Sequence, residues 1–97
     1  MKQIKFKKFK CRIELGQYSN GRIAIDLVDI KNDETVLCAS INVPEVDLAD
    51  QEVIIKNYSE NEGVLDILVG QGIISSPIRS ISYGYCDSPV CKLLNLQ

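Results

Sequence analysis

Residues 53–72 read VIIKNYSENEGVLDILVGQG, and this stretch decides what the rest of the chain has to be. An apolar run ends at Lys56-Asn57, and Ser59 is followed three residues later by Glu62. That is the spacing of a capping box, in which a serine hydroxyl and a glutamate carboxylate take up free backbone N–H groups at a helix start. It predicts a helix over about residues 59–71, with Gly72 free to take the left-handed position beyond its end. Val64, Leu65 and Leu68, joined by Ile67 or Val69, give that helix one apolar side, which needs a sheet to cover it.

The flanking sequence supplies strands. From Ile4 to Leu15 apolar and polar residues alternate, with Ile4 and Phe6 on one parity and Phe9, Cys11, Ile13 and Leu15 on the other. The switch at Lys7-Lys8 predicts a bulge or a tight turn. Tyr18-Ser19-Asn20-Gly21 is a hairpin signal, because Asn and Gly both tolerate positive φ. A strand follows from Arg22 to Ile30 with Ile23, Ile25 and Leu27 inward, then a polar turn at residues 31–34. A third strand runs from Thr35 to Val43, with Leu37, Ala39, Ile41 and Val43 on its core face. Pro44 ends it, since proline cannot donate to a ladder.

Residues 45–51 are an acidic connection, and residues 52–57 a short strand leading into the helix. Beyond Gly72 come a buried pair, Ile73-Ile74, a loop at Ser75-Ser76-Pro77, and a strand carrying Ile81, Tyr83 and Tyr85. CDSPVC then reads as a loop, and an apolar tail from Val90 to Leu96 pairs back onto the sheet. The expectation is a single α+β domain over residues 1–97. It has one antiparallel sheet of five or six strands and one main helix, at about residues 59–71, packed on it.

Hydrophobic residues at 45 % and charged residues at 25 % of 97 are ordinary globular values, which excludes a disordered chain. No apolar run approaches the roughly 18–20 residues of a membrane span, and lysines interrupt any leader core, so a cytoplasmic protein is expected. In that compartment cysteines are free thiols or metal ligands more than disulfides. Net charge is −2 but lopsided, since six of eleven basic residues (Lys2, Lys5, Lys7, Lys8, Lys10, Arg12) precede all thirteen acids. The basic strand reads either as a small nucleic-acid patch or as a solvated face whose edge lysines discourage aggregation. The acids at Glu45, Asp47, Asp50 and Glu52, and again at Glu60, Glu62 and Asp66, suit a basic protein partner.

The chain contains no histidine. That removes Ser–His and Cys–His nucleophile pairs and imidazole-ligated metals, so a non-enzymatic protein is expected. Gly70-Gln71-Gly72 closes a helix, whereas a phosphate cradle has to open one. Tyr18, Tyr58, Tyr83 and Tyr85 raise the question of base stacking, but Tyr83 and Tyr85 fall at strand spacing without interleaved basic residues and read as packing residues with hydroxyls at the rim. The cysteines carry the remaining chemistry. Cys86 and Cys91 flank a C-x4-C segment, and Cys11 and Cys38 can complete a four-thiolate set for one structural zinc ion. The other reading makes all four small core hydrophobes. Cys38 opposes the core parity of its strand while Cys11 shares it, and a shared ion has to overcome that.

YSNGRIAIDLVD, the INVPE strand end, VIIKNYSENEGVLDILVGQGII and a closing SPVCKLL together resemble an uncharacterised family of small proteins carried by phages, prophages and conjugative elements. Lys56 to Glu62 and Pro89 to Leu93 carry most of the similarity, which covers most of the chain after about residue 18. The resemblance implies a mobile-element origin and no particular activity. By analogy with anti-defence proteins of that setting, it implies a stoichiometric inhibitor of a host defence protein, a CRISPR–Cas effector nuclease above others. Such an inhibitor obstructs nucleic-acid loading. The alternative is a small nucleic-acid-binding accessory protein using the basic N-terminal strand.

Overall fold

The computed structural model describes residues 3–83 and 86–94, and its first half follows the alternation of the sequence. β1 (Gln3–Phe6) and β2 (Phe9–Gln17) pair antiparallel, with Phe6 opposite Phe9 and Ile4 opposite Cys11. The parity switch is a tight turn, closed by Lys7 at φ 54. It places Ile4, Phe6, Cys11 and Ile13 on one buried face. At the far end of β2 the Gly21 N–H donates to the Tyr18 carbonyl at 2.8 Å, with Gly21 at φ 85. β3 (Ile23–Asp29) and β4 (Glu34–Cys38) complete a sheet of order β1-β2-β3-β4. The Asp29 carboxylate organises the turn between them by accepting from the Lys31 N–H and the Asn32 side chain.

The single sheet expected from the sequence is two. The strand predicted from Thr35 to Val43 breaks at Ala39, whose N–H donates to the Ile25 carbonyl at 2.7 Å while its own carbonyl accepts from the Lys56 N–H at 2.9 Å. One residue is thus bonded to both sheets. β5 (Ser40–Ile41) then pairs with β6 (Glu52–Ile55) in a second antiparallel sheet, completed by β7 (Arg79–Tyr83) and β8 (Cys86–Lys92) in the order β5-β6-β8-β7. Alternation with a period of two passes through such a corner unchanged, so parity alone cannot reveal it. Its consequence is a change of core. Leu37 and Ala39 face the main cluster, shared by both sheets and the helix, whereas Ile41 and Val43 join Ile54 and Val90 in a smaller one.

CDSPVC, predicted as a loop, is the body of β8. Among the described residues the last β6–β8 pair is Ile54 with Val90, so Pro89 stands where β8 has only β7 beside it, a place proline tolerates. The tail returns to the sheet as expected through the Ile74–Leu93 bridge. Its end, at residues 95–97, lies outside the described residues, as do Lys2 and Tyr85.

The helix is shorter than predicted. α1 spans Val64–Gly70, preceded by a 3-10 turn at Ser59–Asn61. The capping box does not form, because Ser59 sits at φ 56, far from the extended backbone a capping serine needs. Gly63, at φ 96, occupies the N-cap instead. The free N–H groups of Gly63 and Leu65 are taken by the side-chain oxygen of Asn57, at 3.2 and 3.0 Å. The C-terminus agrees with the sequence. Gly72 at φ 74 donates to the Val69 carbonyl and Ile73 to the Leu68 carbonyl, both at 3.0 Å, which is a Schellman motif. Val64, Leu68 and Ile73 are fully buried, so seven helical residues are held by packing more than by their own hydrogen bonds.

Candidate functional site

The connection between β5 and β6 has no regular structure, yet its backbone is fixed from two sides. The Arg22 guanidinium, at the start of β3, donates to the Val43 carbonyl at 2.7 Å and to the Val46 carbonyl. The Arg79 guanidinium, on β7, donates to the Asp47 carbonyl at 2.8 Å and forks onto both Glu52 carboxylate oxygens at 3.0 and 3.1 Å. Glu52 also accepts from the Ala49 N–H at 2.9 Å. The Arg79 fork and then the Ala49 N–H hold the Glu52 carboxyl below its ordinary pKa. Val46 and Leu48 pack on the smaller core beneath. With alternate side chains anchored inward, Glu45, Asp47 and Asp50 are left exposed. Their carboxylates have no ion-pair partner among the described residues. A cleft of about 280 Å3 runs alongside, between Asn20-Gly21-Arg22 and residues 48–52.

The predicted acidic set therefore divides. Glu45, Asp47 and Asp50 share one surface, and Glu52 is spent inside the chain on Arg79. Glu60 lies by the other end of the first sheet, where its carbonyl accepts from the Lys7 ammonium at 3.2 Å and its carboxylate pairs with Lys56 at 2.9 Å. Glu62 and Asp66 are exposed beyond it. Arg22 and Arg79 hold the connection that carries the first three acids, whereas Lys7 and Lys56 hold Glu60, so the two acidic groups have different partners. On the basic hairpin, Lys5 stands directly opposite Lys10, and both are exposed. Lys7 and Lys8 sit over the rings of Phe6 and Phe9 at 5.3 and 5.6 Å. Arg12 is not available for a phosphate, because Glu14 and Asp33 hold it.

The cysteines are dispersed. Cys11 and Cys91 are fully buried in the main core, one on β2 and the other on β8. Burial pushes both thiols up, Cys91 to about 11, with Asp29 adding to the effect at Cys11. Cys38 is exposed at the end of β4, where its thiol donates to the Ser40 carbonyl at 3.4 Å. Cys86 begins the same strand that carries Cys91, and five strand steps set their backbones about 17 Å apart. The tight thiolate loop foreseen in the sequence is thus not present, though the Cys86 side chain lies outside the described ones. Among the described residues no three His, Cys, Asp or Glu side chains gather as a metal would need. A thiol-specific label applied to native protein is expected to modify Cys38 within minutes and to leave Cys11 and Cys91 unmodified until denaturant is added. Site-resolved mass spectrometry checks it, and early labelling of Cys91 would contradict the packing described.

Arg22 and Arg79 are the residues that sequence reasoning missed. Nothing in their neighbourhood marks them, because their partners are carbonyl oxygens 21 to 32 positions away. Glu52 offered a faint signal as the one acid of its group at the head of an apolar strand. Ser40 was missed as well. It is buried, accepts the Ile25 N–H at 3.0 Å and bonds the Tyr18 hydroxyl at 2.9 Å, and burial raises that phenol to about 12. No helix among the described residues is long and apolar enough to cross a membrane. No family model, curated protein or solved structure matches the chain.

Proposed function

We propose that this chain is a non-enzymatic interaction protein of mobile-element origin. It binds a host defence protein, in the first instance a CRISPR–Cas effector nuclease, and blocks nucleic-acid loading. The observation that supports this reading is the pinned acidic connection. Glu45, Asp47 and Asp50 project from a backbone already immobilised by Arg22 and Arg79, so docking them into a basic channel needs little further ordering. Fixed carboxylates of one sign steer a basic surface and compete there with phosphates.

The test is guide or target loading onto purified effectors, with the chain added before or after the nucleic acid. Wild-type protein added first is expected to lower the loaded fraction. A triple variant, Glu45→Lys, Asp47→Lys and Asp50→Lys, is expected to be at least tenfold weaker, with slopes that depend on salt. Equal potency of the variant ends the mechanism. The in-register pair Lys5 and Lys10, where like charges face each other without a carboxylate between them, favours a second reading as a phosphate-binding hairpin. A low-salt gel shift by the chain alone, lost in Lys5→Glu with Lys10→Glu, would move the assignment there.

A further inference from the structure

The register of β2 leaves one length of its edge open among the described residues. The Ile30 N–H donates to the Lys10 carbonyl, and the Tyr18 N–H donates to the Arg22 carbonyl. Even-numbered residues of β2 therefore turn their N–H and C=O groups towards β3, and odd-numbered ones turn towards β1. Among the described residues, β1 pairs with β2 only from Phe9 to Arg12. The edge-facing groups of Leu15 and Gln17 bond no described residue. Beside them lies a groove of about 460 Å3 lined by Leu15, Gly16, Gln17, Ile23, Gln51 and Leu93. Leu15 shares the parity of Ile13 and Cys11, yet it is 47 % exposed where they are buried, and Leu94 is 54 % exposed just past the groove.

From this geometry we infer that the Leu15–Gln17 edge takes up an extended segment of a partner protein as an added strand. An apolar side chain of that segment enters the groove between Leu15 and Leu93. Only an extended backbone offers donors and acceptors at the two-residue repeat of Leu15 and Gln17, and an apolar surface laid over them would bury four polar groups without partners. The charge next to the groove narrows the partner further. Ile23 and Gln51 line both this groove and the acidic cleft, so the incoming strand carries lysine or arginine at the end nearest Asp50. The inference does not depend on the defence-protein reading, because the backbone edge and groove define the site and the connection contributes only the charge preference at one end of the segment.

A blocked peptide of six alternating valine and threonine residues followed by two lysines is the probe. Titrated into labelled protein, it is expected to shift the amide resonances of Leu15 and Gln17 and the methyls of Leu93. It should also slow hydrogen exchange at those two amides at least tenfold. Gln17→Pro removes one edge donor while leaving every β2–β3 bond in place, and is expected to weaken the peptide at least tenfold. Leu15→Ser, at an exposed position, is expected to do the same through the groove. Unchanged binding in both variants, or shifts confined to the edges of β4 and β7, overturns the proposal. A dimer seen by sedimentation and abolished by Gln17→Pro overturns it in favour of a second copy of this chain.

Discussion

Leu68→Ala is expected to lower the unfolding free energy by about 3 kcal/mol, seen as a lower urea midpoint with an unchanged slope. Leu68 is fully buried at the centre of a seven-residue helix, in the core that both sheets share. A helix that short has no stability of its own, so removing the side chain that docks it loses both the transfer free energy and the packing around the cavity. The Schellman closure adds to this, since the Leu68 carbonyl receives the Ile73 N–H and both side chains sit in the same cluster. Ile78→Ala, at a site 54 % exposed, serves as the reference and is expected to change stability by less than about 0.5 kcal/mol. A Leu68→Ala loss no larger than that of the reference would mean the helix is not docked as described.

Period-two alternation predicts the first hairpins correctly because Ile4, Phe6, Cys11, Ile13, Ile25 and Leu27 all serve a single core. It failed where one strand serves two. From Leu37 to Val43 the parity never falters, but Ala39 turns a corner that only its two backbone partners reveal. The helix start failed for a different reason. Ser59 and Glu62 have the right spacing, yet Gly63 follows at once, and a glycine at φ 96 makes Asn57 the cap from six positions upstream. Gly72, by contrast, was legible because a left-handed residue at a helix end depends on local chemistry alone.

The candidate site was legible as charge and not as structure. Sequence identified Glu45, Asp47 and Asp50 but grouped them with Glu60, Glu62 and Asp66, since nothing linear records that Arg22 and Arg79 hold the connection carrying the first three while Lys7 and Lys56 hold Glu60. It could not show that Glu52 belongs to the framework, because that role depends on Arg79, 27 positions later. The cysteines repeat the lesson. Cys86 and Cys91 lie close in number, and a proline between them suggests a loop, whereas extended pairing on both sides of Val90 makes the segment a strand.

Ser40→Ala is expected to cost about 2 kcal/mol, more than so small a truncation usually does, because the Ile25 N–H is left buried with no acceptor. Ser40 is 3 % exposed and Ile25 fully buried, so water cannot readily replace the lost oxygen. The carbonyl of that same Ile25 receives Ala39, which makes this serine and its neighbour the clasp that holds β3 against the crossing strand. Ser40→Thr keeps the oxygen and is expected to recover most of the loss, while Cys38→Ala, at an exposed thiol, is expected to be nearly neutral. Hydrogen exchange at the Ile25 amide should accelerate in Ser40→Ala alone, and equal exchange in Ser40→Ala and Cys38→Ala would show that the clasp lies elsewhere. The two strands it joins are those that deliver Arg22 and begin the acidic connection. A loosened clasp therefore frees Glu45, Asp47 and Asp50 as well, and a partner that selects the pinned connection should bind Ser40→Ala less tightly although none of its own contacts has been changed.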